Sequence, residues 1–497
     1  MKLPVSTRIA RRVLRGMPAP RYAVSCEPGL RIPMADGVEL LADHYFPDLP
    51  DSGTPQDFPT LLVRSPYGRG FRWAALYGVA FAEQGFHVLL QSTRGTAGSG
   101  GVFQPWRDDG PDGRSTVAWL RRRPWFDGRL GLVGPSAVAY AHWALAAAPP
   151  PELKAMVMQM PLHNPRGLFH RSGVFALDDA LIATTMVKTQ LPGPRRFHGA
   201  ATHPDPDSTA GDGYWQGTDL LDAADRLAVP TLVISGWADV ALDQALQQYG
   251  RLPAGHRSLL IGPWTHTSAL RKGAARIFAE SLAWLRGHLI GPAPPQGQIR
   301  VAVGRTTGWR DLSAWPPAAI PLSWYPHPGG ALSREPPRTD VAVGVVRYDP
   351  DDPTPSVGGN SLAQKPGVQN NKSLEERDDV LVFTGPPLTE PTEVIGAVAA
   401  EILVGPGAEP LAATLFVRLC DVDERGHSWN VCDGITRVTG PPPLTITVAM
   451  SSTAHRFLPG HRLRVQISGG AYPRFAAGRQ AFRIEVRSGS TVVLPAV

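Results

Sequence analysis

The sequence predicts an α/β domain, split by a helical insertion and followed by an all-β domain. Three observations carry this expectation. Apolar runs of strand length alternate with helical spacing as far as about residue 295. That alternation lapses between residues 162 and 227. Beyond Pro292-Ala293-Pro294-Pro295 only short, β-branched runs separated by turn residues remain. Composition agrees. The 497 residues include 52 Gly and 51 Pro, about a fifth of the chain against a usual share of roughly 12%. Disorder does not follow, because 43% of residues are hydrophobic and only 19% charged. Long helical arrays are disfavoured, since Pro breaks helices. The excess reads as turns.

The elements follow in order. Pro59–Arg64 is an apolar run ending at Ser65-Pro66, and Ala74–Gln84 has helical spacing up to Gly85. Phe86–Gln91 is a buried-strand pattern, Ser115–Arg122 a helix before Pro124, and Leu130–Val133 a strand. An Ala-rich helix, Ala137–Ala148, precedes the strand Leu153–Met160. Residues 1–161 therefore form the first part of the α/β domain, a mostly parallel sheet with helices on both faces. Residues 162–227 form the insertion, with Leu177–Lys188 as its helix among His-, Pro- and Gly-rich loops. Residues 228–295 complete the domain through the strand Pro230–Ser235, the helix Ala241–Tyr249, the strand Ser258–Gly262 and the helix Ala274–Ile290. Residues 296–497 supply the β segments Ile299–Val303, Val380–Phe383, Ala397–Val404, Thr414–Leu419, Leu444–Met450, Arg462–Ile467 and Phe482–Val486. Their spacing suggests a sandwich or jelly roll.

Charge and cysteines exclude several functions. The net charge is +6. The basic residues are scattered, apart from Arg8, Arg11, Arg12 and Arg15 and the run Arg121-Arg122-Arg123, which read as solvated surface rather than a nucleic-acid footprint. Cys26, Cys420 and Cys432 have no metal-ligand spacing and read as reduced thiols. Met1–Met17 lacks the apolar stretch of a secretory signal, and no run has the length of a membrane span. The expected location is the cytoplasm.

The chemistry concentrates at Leu132-Val133-Gly134-Pro135-Ser136-Ala137-Val138-Ala139. A strand runs into Gly134, the chain turns at Ser136 and a helix starts at once. Such an elbow projects a nucleophilic hydroxyl above the sheet in an α/β hydrolase, and small neighbours let helix and strand meet. The helix N-terminus aims backbone N–H groups at a developing oxyanion. On its own the segment also fits a serine that merely caps a helix, since no strict G-x-S-x-G occurs. Two later strand ends strengthen the first reading. Pro230–Ser235 opens into Gly236-Trp237-Ala238-Asp239, and Leu259–Gly262 opens into Pro263-Trp264-Thr265-His266. The order Ser136, Asp239, His266 is that of a nucleophile, an orienting acid and a general base in this fold.

The motifs extend along the chain. They include Met34-Ala35-Asp36-Gly37, Arg64-Ser65-Pro66-Tyr67, Gln91-Ser92-Thr93-Arg94-Gly95 and Pro124-Trp125-Phe126-Asp127-Gly128 before the elbow. In the C-terminal part they include Tyr348-Asp349-Pro350, Val357-Gly358-Gly359, Leu419-Cys420-Asp421-Val422-Asp423 and Leu458-Pro459-Gly460-His461. In these the chain resembles the cocaine esterase and X-Pro dipeptidyl-peptidase family of serine hydrolases. The resemblance implies an α/β-hydrolase domain with an inserted helical cap and a C-terminal jelly-roll domain. It implies a triad of Ser136, Asp239 and His266, and an oxyanion hole made by the Tyr67 hydroxyl and the Ala137 N–H. Two departures stand beside the nucleophile: Ala137 where the family has Tyr, and Ala139 where it has Gly. Ser92 stands where Asp is common.

Other candidates have plainer readings. Ser99 lies in a Gly-rich turn with no strand leading into it. His163, His170, His198 and His203 in the insertion fit no ligand spacing. Asp421, Asp423 and Asp433 lack the spacing of a calcium loop. No cofactor and no metal are expected. The expected partner is a small-molecule ester or amide, with homo-oligomerisation open and neither nucleic acid nor membrane involved. An ester is favoured because X-Pro peptidases of this family are generally longer. An aminopeptidase or amidase, an acyltransferase, and a binding scaffold without catalysis are the alternatives.

Overall fold

A computed structural model describes residues 16–49, 57–191, 212–306, 308–363, 365–406, 413–440 and 443–497. Arg8, Arg11, Arg12, Arg15, His198 and His203 lie outside the described residues.

Among the described residues the first sheet has ten strands. They are β1 (Ala23–Pro33), β2 (Glu39–Asp48), β3 (Thr60–Ser65), β4 (His87–Ser92), β5 (Leu130–Pro135) and β6 (Leu153–Gln159). After a two-stranded hairpin, β7 (His170–Arg171) and β8 (Val174–Phe175), come β9 (Thr231–Ala238), β10 (Arg257–Thr265), β11 (Ile299–Ala302) and β12 (Trp309–Leu312). The order across the sheet is β1-β2-β4-β3-β5-β6-β9-β10-β11-β12. From β4 to β11 the pairs are parallel, and antiparallel pairs close both edges. β3, β4 and β5 are buried throughout, which is why they read as unbroken apolar runs.

Side chains alternate between two cores, as the strand period of two requires. Leu62, Leu89 and Leu132 pack with α1 (Asp109–Leu120), α2 (Ala137–Ala146) and, past α3 (Leu177–Lys188), α4 (Leu242–Arg251). Leu61, Val63, Val88 and Leu90 pack on the opposite face against Ile277, Phe278 and Leu282 of α5 (Ala274–Leu289). Ala139, the residue in place of a glycine, is fully buried in the first of these cores.

Three boundaries differ from expectation. Ile299–Ala302, expected to open the β domain, pairs in parallel with β10 and extends the first sheet. α1 starts at Asp109 rather than Ser115, because Gly110, Pro111 and Gly113 conceal its first turns. The helix expected from Ala74 starts at Phe71, and its middle, Ala74–Val79, is π-helical.

Among the described residues, thirteen strands from Ile320–His327 to Thr491–Ala496 form the C-terminal β domain around its own apolar core. The insertion bridges the two domains. Val174 and Ala176 share an apolar cluster with Phe416, Ile435, Ala471 and Phe475. Asp179 of α3 is fully buried. It accepts from Arg171 at 3.0 Å, from the Ser361 hydroxyl at 2.8 Å and from the Leu362 N–H at 2.7 Å.

Candidate active site

The site is built at the C-terminal ends of β5, β9 and β10, where open α/β sheets hold ligands. β5 ends in Gly134-Pro135, and Ser136 follows at φ 57° and ψ −126°. An L residue adopts such a backbone only where its surroundings enforce it. The Ser136 N–H donates to the Gln159 carbonyl at 2.9 Å, and its carbonyl accepts from the Tyr140 N–H at 3.0 Å. A Cβ at position 134 would collide with Val138 Cγ1, so strand and helix meet only because that residue is Gly.

Asp239 follows β9 and is fully buried. Its Oδ1 lies 2.7 Å from His266 Nδ1 and accepts from the Ala241 N–H at 3.1 Å. Its Oδ2 accepts from the Ser235 hydroxyl at 2.6 Å. His266 opens a short helix, His266–Ala269, capped reciprocally by Thr265 and Ser268. The Trp264 ring sits against Gly262 and Gly273, and its carbonyl sits against Gly236, positions at which a Cβ would collide. From the β domain, Gly367 (φ 84°) packs on the same loops, where a Cβ would stand 3.0 Å from Thr265 Cγ2.

Tyr67 completes the constellation. Its hydroxyl lies beside the Ser136 side chain and the Ala137 N–H. Burial raises the phenol pKa above its ordinary value, and the neighbouring Ser136 side chain and Ala137 N–H pull it partly back. The ring stacks on Trp73 at 5.5 Å, which in turn stacks on Tyr77 at 5.4 Å. The Tyr77 hydroxyl donates to Gln159 at 2.6 Å.

Tyr67 and Ala137 line a cleft that is partly open to solvent. Phe103, Pro105, Trp106 and Phe169 supply apolar walls, and α3 contributes Ala183, Thr184 and Val187. The Thr184 hydroxyl is buried without a hydrogen-bond partner. Asp109 also lines the cleft, and burial pushes its carboxyl up to about 6 against the pull of Arg64. Asp112 is instead held by Arg94 at 2.6 and 3.1 Å. Trp73, Trp106, Thr184 and Asp109 had no signal in the sequence, since they reach the site only through tertiary packing.

The structure brings Tyr67, Ser136 and Ala137 together, and Asp239 and His266 together. The remaining candidates lie elsewhere. Ser99 accepts from the Leu41 N–H and donates to the Ser92 carbonyl within a turn. His163 is buried against Gln248 at 3.2 Å, and His170 packs on Phe175. Asp421 is bonded by Arg305, His455 and His461, Asp423 by Trp429 and His427, and Asp433 by Arg418 and Arg474. Among the described residues no group of three or more His, Cys, Asp or Glu is arranged to hold a metal ion, and Cys26, Cys420 and Cys432 are free. No helix among them is long and apolar enough to cross a membrane.

Two family profiles match in chain order. X-Pro dipeptidyl-peptidase (S15 family) covers residues 36–268, and the X-Pro dipeptidyl-peptidase C-terminal non-catalytic domain covers 293–492. Cocaine esterase of Rhodococcus sp. (strain MB1 Bresler) is 28% identical over 89% of this chain and 90% of its own length. An alpha-amino acid ester hydrolase structure superposes with a TM-score of 0.79 at 21% identity, covering 96% of this chain and 97% of that one. An aminopeptidase from the marine sediment archaeon Thaumarchaeota archaeon gives 0.79 at 20% identity, covering 96% of each. With both profiles spanning the two domains and the fold shared throughout, the chain belongs to the X-Pro dipeptidyl-peptidase (S15) family and is a serine hydrolase of esterase or peptidase type.

Proposed function

We propose that this protein hydrolyses carboxylic esters through an acyl-enzyme formed on Ser136. The observation that carries the reading is the convergence of the Tyr67 hydroxyl and the Ala137 N–H beside the Ser136 side chain. Asp239 holds His266 Nδ1, which leaves Nε2 for the nucleophile. In the first step Ser136 Oγ attacks the ester carbonyl and its proton passes to His266 Nε2. The carbonyl oxygen becomes an oxyanion between the Tyr67 hydroxyl and the Ala137 N–H. Collapse of this intermediate breaks the C–O bond, and the imidazolium returns its proton to the departing alcohol. Water then repeats the sequence on the acyl-enzyme and frees Ser136. Asp239 fixes the imidazole tautomer and stabilises the imidazolium without taking the proton itself.

The ester is preferred to the amide because a relative matched over 89% of this chain is a cocaine esterase. In this reading the insertion acts as a cap over the cleft, the C-terminal domain is a jelly roll that braces cap and triad loops, and the partner is a small molecule in the cytoplasm. A fluorophosphonate probe tests the mechanism. Wild-type protein is expected to be labelled, while Ser136→Ala is expected to lose labelling and about 10⁶ in kcat. Equal behaviour of the two folded proteins would remove the nucleophile. Turnover of aminoacyl anilides at or above that of p-nitrophenyl esters would make the enzyme an amidase.

A further inference from the structure

Among the described residues six non-glycine residues have positive φ, and Trp106 (φ 70°) is the aromatic one. The left-handed region is sterically poor for so bulky a side chain. Such a backbone persists where neighbours over-determine it, and it marks places where geometry matters to function. The neighbours here are specific. The Tyr214 hydroxyl donates to the Pro105 carbonyl at 2.7 Å, and Arg107 donates to the carbonyls of Tyr214 and Gln216, both at 2.8 Å. The Tyr140 hydroxyl donates to the Thr218 carbonyl at 2.9 Å and lies 3.3 Å from the Trp106 carbonyl. The indole meets the Tyr140 ring edge-on, with centroids 4.9 Å apart. Tyr140 lies one helical turn beyond Ser136, to whose carbonyl its N–H is bonded.

Trp106 is thus fixed between the nucleophile helix and the insertion, and it lines the cleft that Tyr67 and Ala137 also line. Ala137 offers only a methyl there. The width of the cleft beside the nucleophile is therefore set by the rings around it, and Trp106 is the one whose backbone is clamped on both sides.

We propose that Trp106 is the specificity-determining residue of this cleft, a rigid wall that admits short acyl chains and excludes long ones. The proposal rests on Ser136 being the nucleophile. In this proposal an ester with its carbonyl oxygen between Tyr67 and Ala137 lays its acyl substituent along Trp106, and its alkoxy group leaves on the other side. A wall that Arg107, Tyr140 and Tyr214 hold in one place does not yield to a longer chain.

The test compares kcat/KM for p-nitrophenyl acetate, butyrate and octanoate in wild type, Trp106→Gly and Trp106→Phe. Glycine takes φ 70° freely, so Trp106→Gly removes the ring without adding strain. Should it fail to fold, Trp106→Asn, also tolerant of this backbone, replaces it. The octanoate-to-acetate ratio is expected to rise at least about tenfold in Trp106→Gly and to stay near wild type in Trp106→Phe. A ratio unchanged in the folded glycine variant overturns the proposal. So does a shift that appears when the alcohol is varied at fixed acyl group instead. Fluorophosphonate labelling separates the two readings. A labelled wild type with an unchanged ratio defeats only the role of Trp106, whereas an unlabelled wild type defeats the nucleophile and this proposal together.

Discussion

Both carboxylate oxygens of Asp239 are bonded and the loops around His266 are wedged by Trp264 and backed by the β domain, whereas Ser136 and Trp106 sit on backbone that L residues avoid. Left-handed backbone at each of the latter costs about 1–3 kcal/mol, and Thr184, which lines the same cleft, has a buried hydroxyl without a partner. The difference follows from what each side handles. In the proposed mechanism Asp239 and His266 move a proton along the same path for every substrate, which fits a carboxylate whose two oxygens are both bonded in advance. In the same proposal the Ser136 side receives the substrate, which fits its strained backbone and the unpaired Thr184 hydroxyl.

Substitutions on the two sides test this contrast. On the satisfied side, Asp239→Asn preserves volume but presents an amide to His266 Nδ1 and favours the wrong tautomer. The expected loss in kcat is about 10⁴, with KM little changed. On the open side, Tyr67→Phe keeps the stack on Trp73 and removes one of the two proposed oxyanion donors. The Ala137 N–H remains, and the expected loss in kcat is about 10²–10³. Steady-state kinetics on one p-nitrophenyl ester measures both. Equal losses would break the comparison, because Tyr67 would then matter as much as the pair that moves the proton.

The fixed side was also the more legible. Asp239 and His266 stand at the ends of apolar runs, and buried parallel strands must be apolar on both faces, so their ends can be located from sequence. Ser136 was legible through Gly134 and the Ala-rich helix behind it. Ala137 was carried by its place after the nucleophile. Tyr67, after Pro66, looks like any turn aromatic, and only the family resemblance pointed to it. Trp106, Asp109 and Thr184 reach the cleft through long-range packing and leave no local pattern. The β11 strand shows the limit of boundary reading. Its residues are β-branched like those of the second domain, and only pairing with β10 assigns it to the first sheet. In the β domain, strands such as Ser428–Arg437 escaped notice because Asn430, Asp433 and Gly434 interrupt the run, although Asp433 is neutralised by Arg418 and Arg474.

The smallest expected effect lies beneath the proposed nucleophile. His142 is on α2, six residues after Ser136, fully buried, with neither ring nitrogen hydrogen-bonded. Burial, helped by the nearby Arg64 charge, pushes its pKa down to about 3. The folded protein therefore keeps this imidazole neutral, while the unfolded chain takes up a proton below about pH 6.5. The stability it contributes is fully present above pH 6.5 and is lost as pH falls toward 3. The slope is at most ~1.4 kcal/mol per pH unit. His44, lowered by burial to about 2, acts in the same sense and stays in the variant as a reference. His142→Leu removes two unpaired nitrogens and one titrating group. Urea unfolding at pH 7 and pH 4.5 is expected to show a smaller stability difference for the variant than for wild type. An unchanged difference would mean that His142 is not held neutral in the fold, and the open valences of the nucleophile side would then end at the cleft.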